Sequence, residues 1–174
     1  MKPLVYKIQF FTPWHTSSGL SAGADASNTV LKDGDGLPYI PGKTLKGLLR
    51  DAAENMKHLP TIINQDFIDR IFGLGDNEVK DRNEAALKAG IPNYEKWYSA
   101  ESDCYFSDAT LSESLATSII TRKQTALLYE KVTSTAMDAA GQAKDHSLRT
   151  IEVTIPLTLY GLSLIHISEP TRPY

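Results

Sequence analysis

Gly36-Leu37-Pro38-Tyr39-Ile40-Pro41-Gly42-Lys43-Thr44-Leu45-Lys46-Gly47-Leu48-Leu49-Arg50 joins a long aperiodic segment to the most regular helical pattern in the chain. Counting from Leu45, the residues Leu48, Leu49, Ala52, Ala53 and Met56 recur at the spacing of one apolar helix face. Gly42 or Thr44 is the N-cap candidate. The pattern predicts a helix to about Lys57 whose exposed face carries Lys46 and Arg50, one turn apart. Gly42-Lys43-Thr44 at a helix start invites a nucleotide-phosphate loop, but such a loop needs a glycine where Leu37 stands. Gly36 is one residue too far, and Pro38 and Pro41 remove two N–H donors from the would-be cradle. A more general anion site remains, because a helix start presents N–H groups and positive potential. Lys43, Lys46 and Arg50 would reinforce it, and cations strung along a helix suit a phosphodiester backbone better than a single nucleotide.

Outward from this stretch, Leu4 to Phe11 is rich in β-branched and aromatic residues and reads as a first strand, closed by Pro13. Residues 12–41 are Ser, Gly, Ala, Asn, Asp and Pro with little periodicity, too long for a plain connection and therefore a functional loop. Within it, Asp33 and Asp35 flank Gly34 as in a tight turn. Phe67, Ile68, Ile71 and Phe72 predict a second helix over Gln65–Phe72, ended by Gly73 and Gly75. Residues 76–102 read as an acidic, partly helical insertion, and Cys104 to Ser107 as a short strand. Residues 111–147 are mixed, with a turn at Asp138-Ala139-Ala140-Gly141. Ile151, Val153, Ile155, Leu157 and Leu159 alternate with polar residues as one half-buried strand, with Pro156 at an edge or bulge.

The segment 36–50 closely resembles the signature of the RAMP superfamily, the repeat-associated RNA-binding subunits of type III CRISPR effector complexes. The family pattern is Gly-x-Pro-Tyr-Ile-Pro-Gly-Ser-Ser-Leu-Lys-Gly with a following Arg; this chain departs from it at Lys43 and Thr44. Thr12-Pro13-Trp14-His15, Ile71-Phe72-Gly73 and Phe106-Ser107-Asp108-Ala109 match further family segments in order. Thr133 to Arg149, including Lys144, resembles the projecting thumb. The resemblance implies an α+β, ferredoxin-like (RRM-related) domain over residues 1–161, with loop insertions and a thumb-like insertion at 111–147. It also implies partners: a guide RNA, a target RNA, and other effector subunits including copies of the chain itself. The RNA-binding residues would be His15, Gly42, Lys43, Thr44, Lys46, Arg50 and Lys144, while base pairing supplies sequence recognition.

Catalysis follows only from the resemblance. Target-cleaving members carry an aspartate just before an Asn-x-Val segment; Asn28-Thr29-Val30 aligns with it and places Ser27 where the aspartate belongs, with Asp25 two residues earlier. Two readings stand: Asp25 supplies the carboxylate for an endoribonuclease, with a divalent cation such as Mg²⁺ held mainly by RNA, or the subunit does not cleave. His15 suggests an alternative, a guide-RNA-processing endonuclease, since an imidazole suits general acid–base cleavage. A non-catalytic assembly module is the third reading, and it would not need Lys46 and Arg50. His58 and His146 carry no spacing signal, and one Cys with scattered His predicts no metal site of the protein's own.

Composition bounds these readings. Of the 174 residues, 41% are hydrophobic and 22% charged, which excludes a disordered chain and suits one domain. The single Cys excludes a disulfide framework. No signal-peptide pattern follows Met1, so cytoplasm is expected. No membrane partner is expected either, since the longest apolar run, 155–167, is broken by Pro156, Thr158, Ser163 and His166. The net charge of −3 excludes a broadly basic nucleic-acid binder. Residues 1–50 nevertheless hold six Lys/Arg against three Asp, whereas 51–103 hold six against eleven acids. Finally, Leu162 to Arg172 resembles one reading frame of a transposase sequencing adapter. We therefore expect 162–174 to be a non-native tail, the last strand to end near Tyr160, and the C-terminal elements of the fold to be missing.

Overall fold

The structure, a computed structural model, describes residues 2–23, 26–59, 63–74, 76–90, 102–138, 140–143 and 147–165. In chain order these form β1 (Lys2–Gln9), α1 (Gly42–Met56), α2 (Gln65–Phe72), α3 (Asp76–Lys88), β2 (Cys104–Phe106), α4 (Glu113–Thr121), a 3-10 turn (Thr125–Leu128), β3 (Tyr129–Ser134), β4 (Arg149–Thr154) and β5 (Thr158–Ile165). This is an α+β chain. One sheet has the order β1-β5-β2, so the last strand lies between the first two, as in the β-α-β-β part of a ferredoxin-like fold. β2 runs antiparallel to β5 with Tyr105 opposite Leu164, and β3 and β4 form a separate antiparallel ribbon. The chain divides into two compact units, residues 1–4, 42–107 and 162–174, and residues 5–41 and 108–161.

In the first unit, α2 forms where the sequence places it. Asn64 caps it by accepting a hydrogen bond from the Phe67 N–H at 2.8 Å, and Gly73 ends it at φ 81°, a left-handed conformation that glycine adopts without strain. Helix α1 starts three residues earlier than its apolar pattern, at Gly42, and is rotated away from the expected face. Gly42 and Ala53 are buried and Leu45, Lys46 and Arg50 half-buried, while Leu48, Leu49 and Met56 are exposed. The reason lies at Gly42, where an added Cβ would sit 2.0 Å from the Phe106 carbonyl oxygen. That close approach to β2 fixes which side of α1 faces inward.

The alternation expected as one strand from Ile151 to Leu159 is two strands in different sheets. Pro156 lies at the break, and a proline cannot donate to a sheet ladder. The Ile155 N–H goes instead to the Leu128 carbonyl at 3.0 Å, and the Leu157 carbonyl accepts from Phe10 N–H at 3.0 Å. β5 does not end near Tyr160 but continues to Ile165, where Leu162-Ser163-Leu164 keeps strand-compatible alternation and β2 offers a ladder that is indifferent to side chains. Helix α4, within 111–147, has no counterpart in the sequence reading; its Ser-, Thr- and Ala-rich run carries a weak apolar stripe. The turn at Asp138 is present, with Asp138 Oδ1 accepting from the Ala140 and Gln142 N–H groups.

Because the overlap at Gly42 is with backbone atoms, Gly42→Ala should lower unfolding stability by about 1–3 kcal/mol. Gly47→Ala, in the same helix with nothing within 4 Å, should raise it by about 0.5–1 kcal/mol. Urea denaturation of the two variants reads both signs.

Candidate functional site

In the first unit, the start of α1 lies against β2 and frames a pocket of about 370 Å³, lined by Gly42, Lys43, Lys46, Ser102, Tyr105 and Phe106 among others. Lys43 and Thr44 are exposed at the first turn. Lys46 Nζ donates to Ser102 Oγ, and Ser102 Oγ donates to the Cys104 carbonyl at 2.9 Å. Burial pulls the Lys46 ammonium below the usual lysine range; the neighbouring Cys104 opposes this and the Arg50 charge adds to it. Arg50 is not the free surface cation that the sequence implies. Its Nη2 donates to both oxygens of Glu78 on α3, at 2.6 and 2.8 Å. The rotation of α1 turned it inward, where an unpaired guanidinium would be costly. Below it, Arg82 forms a two-bonded pair with Asp69, whose carboxyl burial pushes up and Arg82 and Gln65 pull further down.

In the second unit, the aperiodic loop is held by β4. Glu152 receives both of its main contacts from that loop: Oε2 accepts from Val30 N–H at 3.0 Å and Oε1 from Lys32 Nζ at 2.8 Å. Lys32 Nζ also lies 4.0 Å from the Tyr129 ring centroid, and the Tyr129 hydroxyl donates to the Gly36 carbonyl at 2.7 Å. Burial, with Glu152 and Asp33 adding negative potential, raises the Tyr129 pKa well above the usual phenol range, so it stays a donor. Asp33 Oδ1 accepts from Asp35 and Leu37 N–H groups, the turn expected around Gly34.

His15 has both ring nitrogens turned to the protein. Nδ1 donates to the Glu152 carbonyl at 2.7 Å and Nε2 is buried, so the ring pins the loop to β4. Ser27, at the position the family gives to aspartate, is exposed and donates through Oγ to the Thr150 carbonyl at 2.9 Å. Asp25 and Lys144 lie outside the described residues. The structure thus brings Gly42, Lys43 and Lys46 together with Ser102, Tyr105 and Phe106, three residues that sequence reasoning did not select. Glu152, Lys32 and Tyr129 were also missed; Glu152 reads as an ordinary polar position of an alternating strand, and no local signal marks it. Among the described residues no cluster of three His, Cys, Asp or Glu converges to hold a metal ion, and no helix is long and apolar enough to cross a membrane.

The family model described as RAMP superfamily matches residues 7–157. A chain of the cryo-EM structure of the Type III-B Cmr-beta bound to cognate target RNA superposes with a TM-score of 0.65 at 13% identity, over 97% of this chain and 86% of that one. A chain of the Type III-B Cmr-beta in the apo state gives 0.60 at 11% identity, over 96% and 85%. At these identities the likeness is one of fold. No curated protein matches.

The Glu152 contacts make the loop sensitive to acid. Burial raises the Glu152 pKa, but the Lys32 ammonium and Val30 N–H outweigh it, and the carboxyl titrates below its ordinary value. A carboxyl depressed in the folded state contributes stability above its unfolded pKa and loses it as pH falls through the folded one. Glu152→Gln should therefore cost about 1–2 kcal/mol at pH 7, tempered by the partial exposure of Lys32. The gap between wild type and variant should close in the acid range below the ordinary glutamate pKa. Urea titrations across pH check this; a gap that is constant with pH would rule the ion pair out.

Proposed function

The chain belongs to the RAMP superfamily, and from that membership we propose that it is a guide-RNA-binding backbone subunit of a type III CRISPR effector complex, working in the cytoplasm. The observation that carries the reading is the start of α1, where Lys43 and Lys46 stand one turn apart beside a pocket. Two cations so placed take successive phosphates without consulting sequence, leaving recognition to base pairing. The fold is that of a chain in a Type III-B Cmr-beta assembly bound to cognate target RNA, which supports guide and target RNA, other effector subunits and copies of this chain as partners. In this reading residues 1–161 act as one RNA-binding domain, 111–147 as its thumb, with Lys144 among the RNA-binding residues, and 162–174 as a non-native tail. The β3–β4 ribbon and the turn at Asp138 suit a projecting element, because every residue from Glu130 to Ser134 is exposed. A guide-processing endonuclease is the weaker reading, since His15 is tied to Glu152 and its second nitrogen is buried.

Single-stranded RNA binding followed across salt concentration tests the grip. Lys43→Ala and Lys46→Ala should each weaken binding similarly for all sequences and reduce the log–log salt slope by about 0.7. Arg50→Ala, held by Glu78, should lower stability and leave the slope unchanged. A changed sequence preference with an intact slope for Lys46→Ala would refute backbone gripping.

Target cleavage is a separate question that rests on Asp25. One carboxylate and a divalent cation, held largely by RNA phosphates, suffice for attack by the RNA's own 2′-OH. In a reconstituted effector supplied with Mg²⁺, Asp25→Ala should abolish target cleavage and leave RNA binding intact. Undiminished cleavage by the variant would remove Asp25 from the mechanism, and an inactive wild type would make the subunit structural.

A further inference from the structure

We propose that Tyr105 is a stacking platform for one RNA base, and that the pocket beside it seats a single nucleotide whose phosphates meet Lys43 and Lys46; this rests on the RNA-binding reading above. β2 is an edge strand, and along it Cys104 is buried, Phe106 half-buried and Tyr105 61% exposed. An aromatic ring left in water on a short edge strand gains little for folding. Here Tyr105 lines a pocket together with two lysines, and among the described residues no carboxylate lines it. The ligand complementary to this surface carries a flat apolar face and negative charge within one nucleotide's length. A single-stranded polynucleotide has both in every unit, and aromatic side chains flanked by cations are how sequence-tolerant binders hold such strands.

The dimensions agree. At about 370 Å³ the pocket lies near the lower end of the roughly 300–1,000 Å³ of small-ligand sites. That leaves room for one nucleoside and not for a run of stacked bases. Lys43 and Lys46 project from adjacent turns of α1, so phosphates on either side of the seated base fall within reach of separate ammonium groups. Lys46 is already steered toward the pocket by its bond to Ser102, and an arriving phosphate would give that half-buried ammonium a charged partner. Gly42 completes the shape. Its missing side chain lets the helix start lie directly on β2, so Lys43, Lys46 and Tyr105 line the same cavity. Stacking takes any base, so the site would fix where a nucleotide sits without choosing its identity.

The test compares a fluorescein-labelled oligouridylate with an abasic ribose-phosphate oligomer of the same length, bound to the full chain. Wild type should bind the base-bearing strand about 5- to 150-fold more tightly. Tyr105→Ala should remove that preference while leaving the salt slope unchanged, and Tyr105→Trp should keep it, with indole fluorescence quenched on binding. Retention of the preference by Tyr105→Ala, or equal binding of the two oligomers by wild type, would overturn the stacking role while leaving the backbone grip standing. Unchanged salt slopes in Lys43→Ala and Lys46→Ala would instead overturn the grip itself. Because Tyr105 is largely exposed, its replacement is not expected to disturb folding, and Tyr105→Phe, which should behave as wild type, controls for it.

Discussion

The absence of a side chain at Gly42 is the constraint from which the rest of the first unit follows. With the Phe106 carbonyl oxygen 2.0 Å from where a Cβ would stand, α1 can approach β2 only through a glycine, and that approach sets the helix's rotation. Hydrophobicity alone would turn Leu48, Leu49 and Met56 inward. Backbone contact turns Lys46 and Arg50 inward instead, and each then needs a partner to offset its desolvation. Ser102 and Glu78 are those partners. The cost of three exposed apolar side chains is borne for a helix start positioned to within contact distance of a strand.

The second unit solves a different problem. A loop of some thirty residues has backbone donors and acceptors that no helix or sheet satisfies, and each must find a partner if buried. β4 supplies many of them. Trp14 and Thr154 exchange two backbone bonds, Ser27 N–H reaches the Thr150 carbonyl, and Glu152 N–H reaches the Asn28 carbonyl. The Glu152 side chain then takes the Val30 N–H and the Lys32 ammonium from the same loop, while its carbonyl takes His15. One strand residue thus meets the loop at four points in its sequence. This explains why an otherwise ordinary glutamate carries more of the loop's geometry than the loop's own glycines do.

What could be read from the sequence follows the range of the forces involved. α2 was legible to the residue because its determinants are local: an Asn cap, an amphipathic stripe and a terminal glycine. β2, the Asp33 turn and the 36–50 signature were legible for the same reason, and so was the α+β class. The rotation of α1 was not, because it is decided by a contact between Gly42 and a residue more than sixty positions away. The break at Pro156 was visible as a proline, yet alternation continues through it, and only the change of sheet shows that two strands are present. His15 was selected for its chemistry, but its partner is a backbone carbonyl 137 residues on, which no local pattern announces. The binding side of the site divides likewise: Lys43 and Lys46 stand in a motif, whereas Tyr105 becomes relevant only once β2 lies beside α1.

The charge distribution also changes meaning once the pairs are seen. Residues 51–103 carry a net negative charge, which by itself repels a polyanion from the neighbouring cations. Many of those acids are not free to do so. Glu54 is bonded to Lys57, Asp69 to Arg82, Glu78 to Arg50 and Asp103 to Arg70. A paired carboxylate and ammonium present a dipole whose field falls off faster than that of either charge, and salt screens it within about 10 Å. Among the described residues, Lys43 and Lys46 are held in no such ion pair with a carboxylate, and no acid lines their pocket. Among the described residues, acids of this segment pair with Arg50, Arg70 and Arg82, the three guanidinium groups nearest the start of α1 in the chain. In the proposed reading, a protein of net charge −3 holds a phosphodiester at one place without being broadly basic.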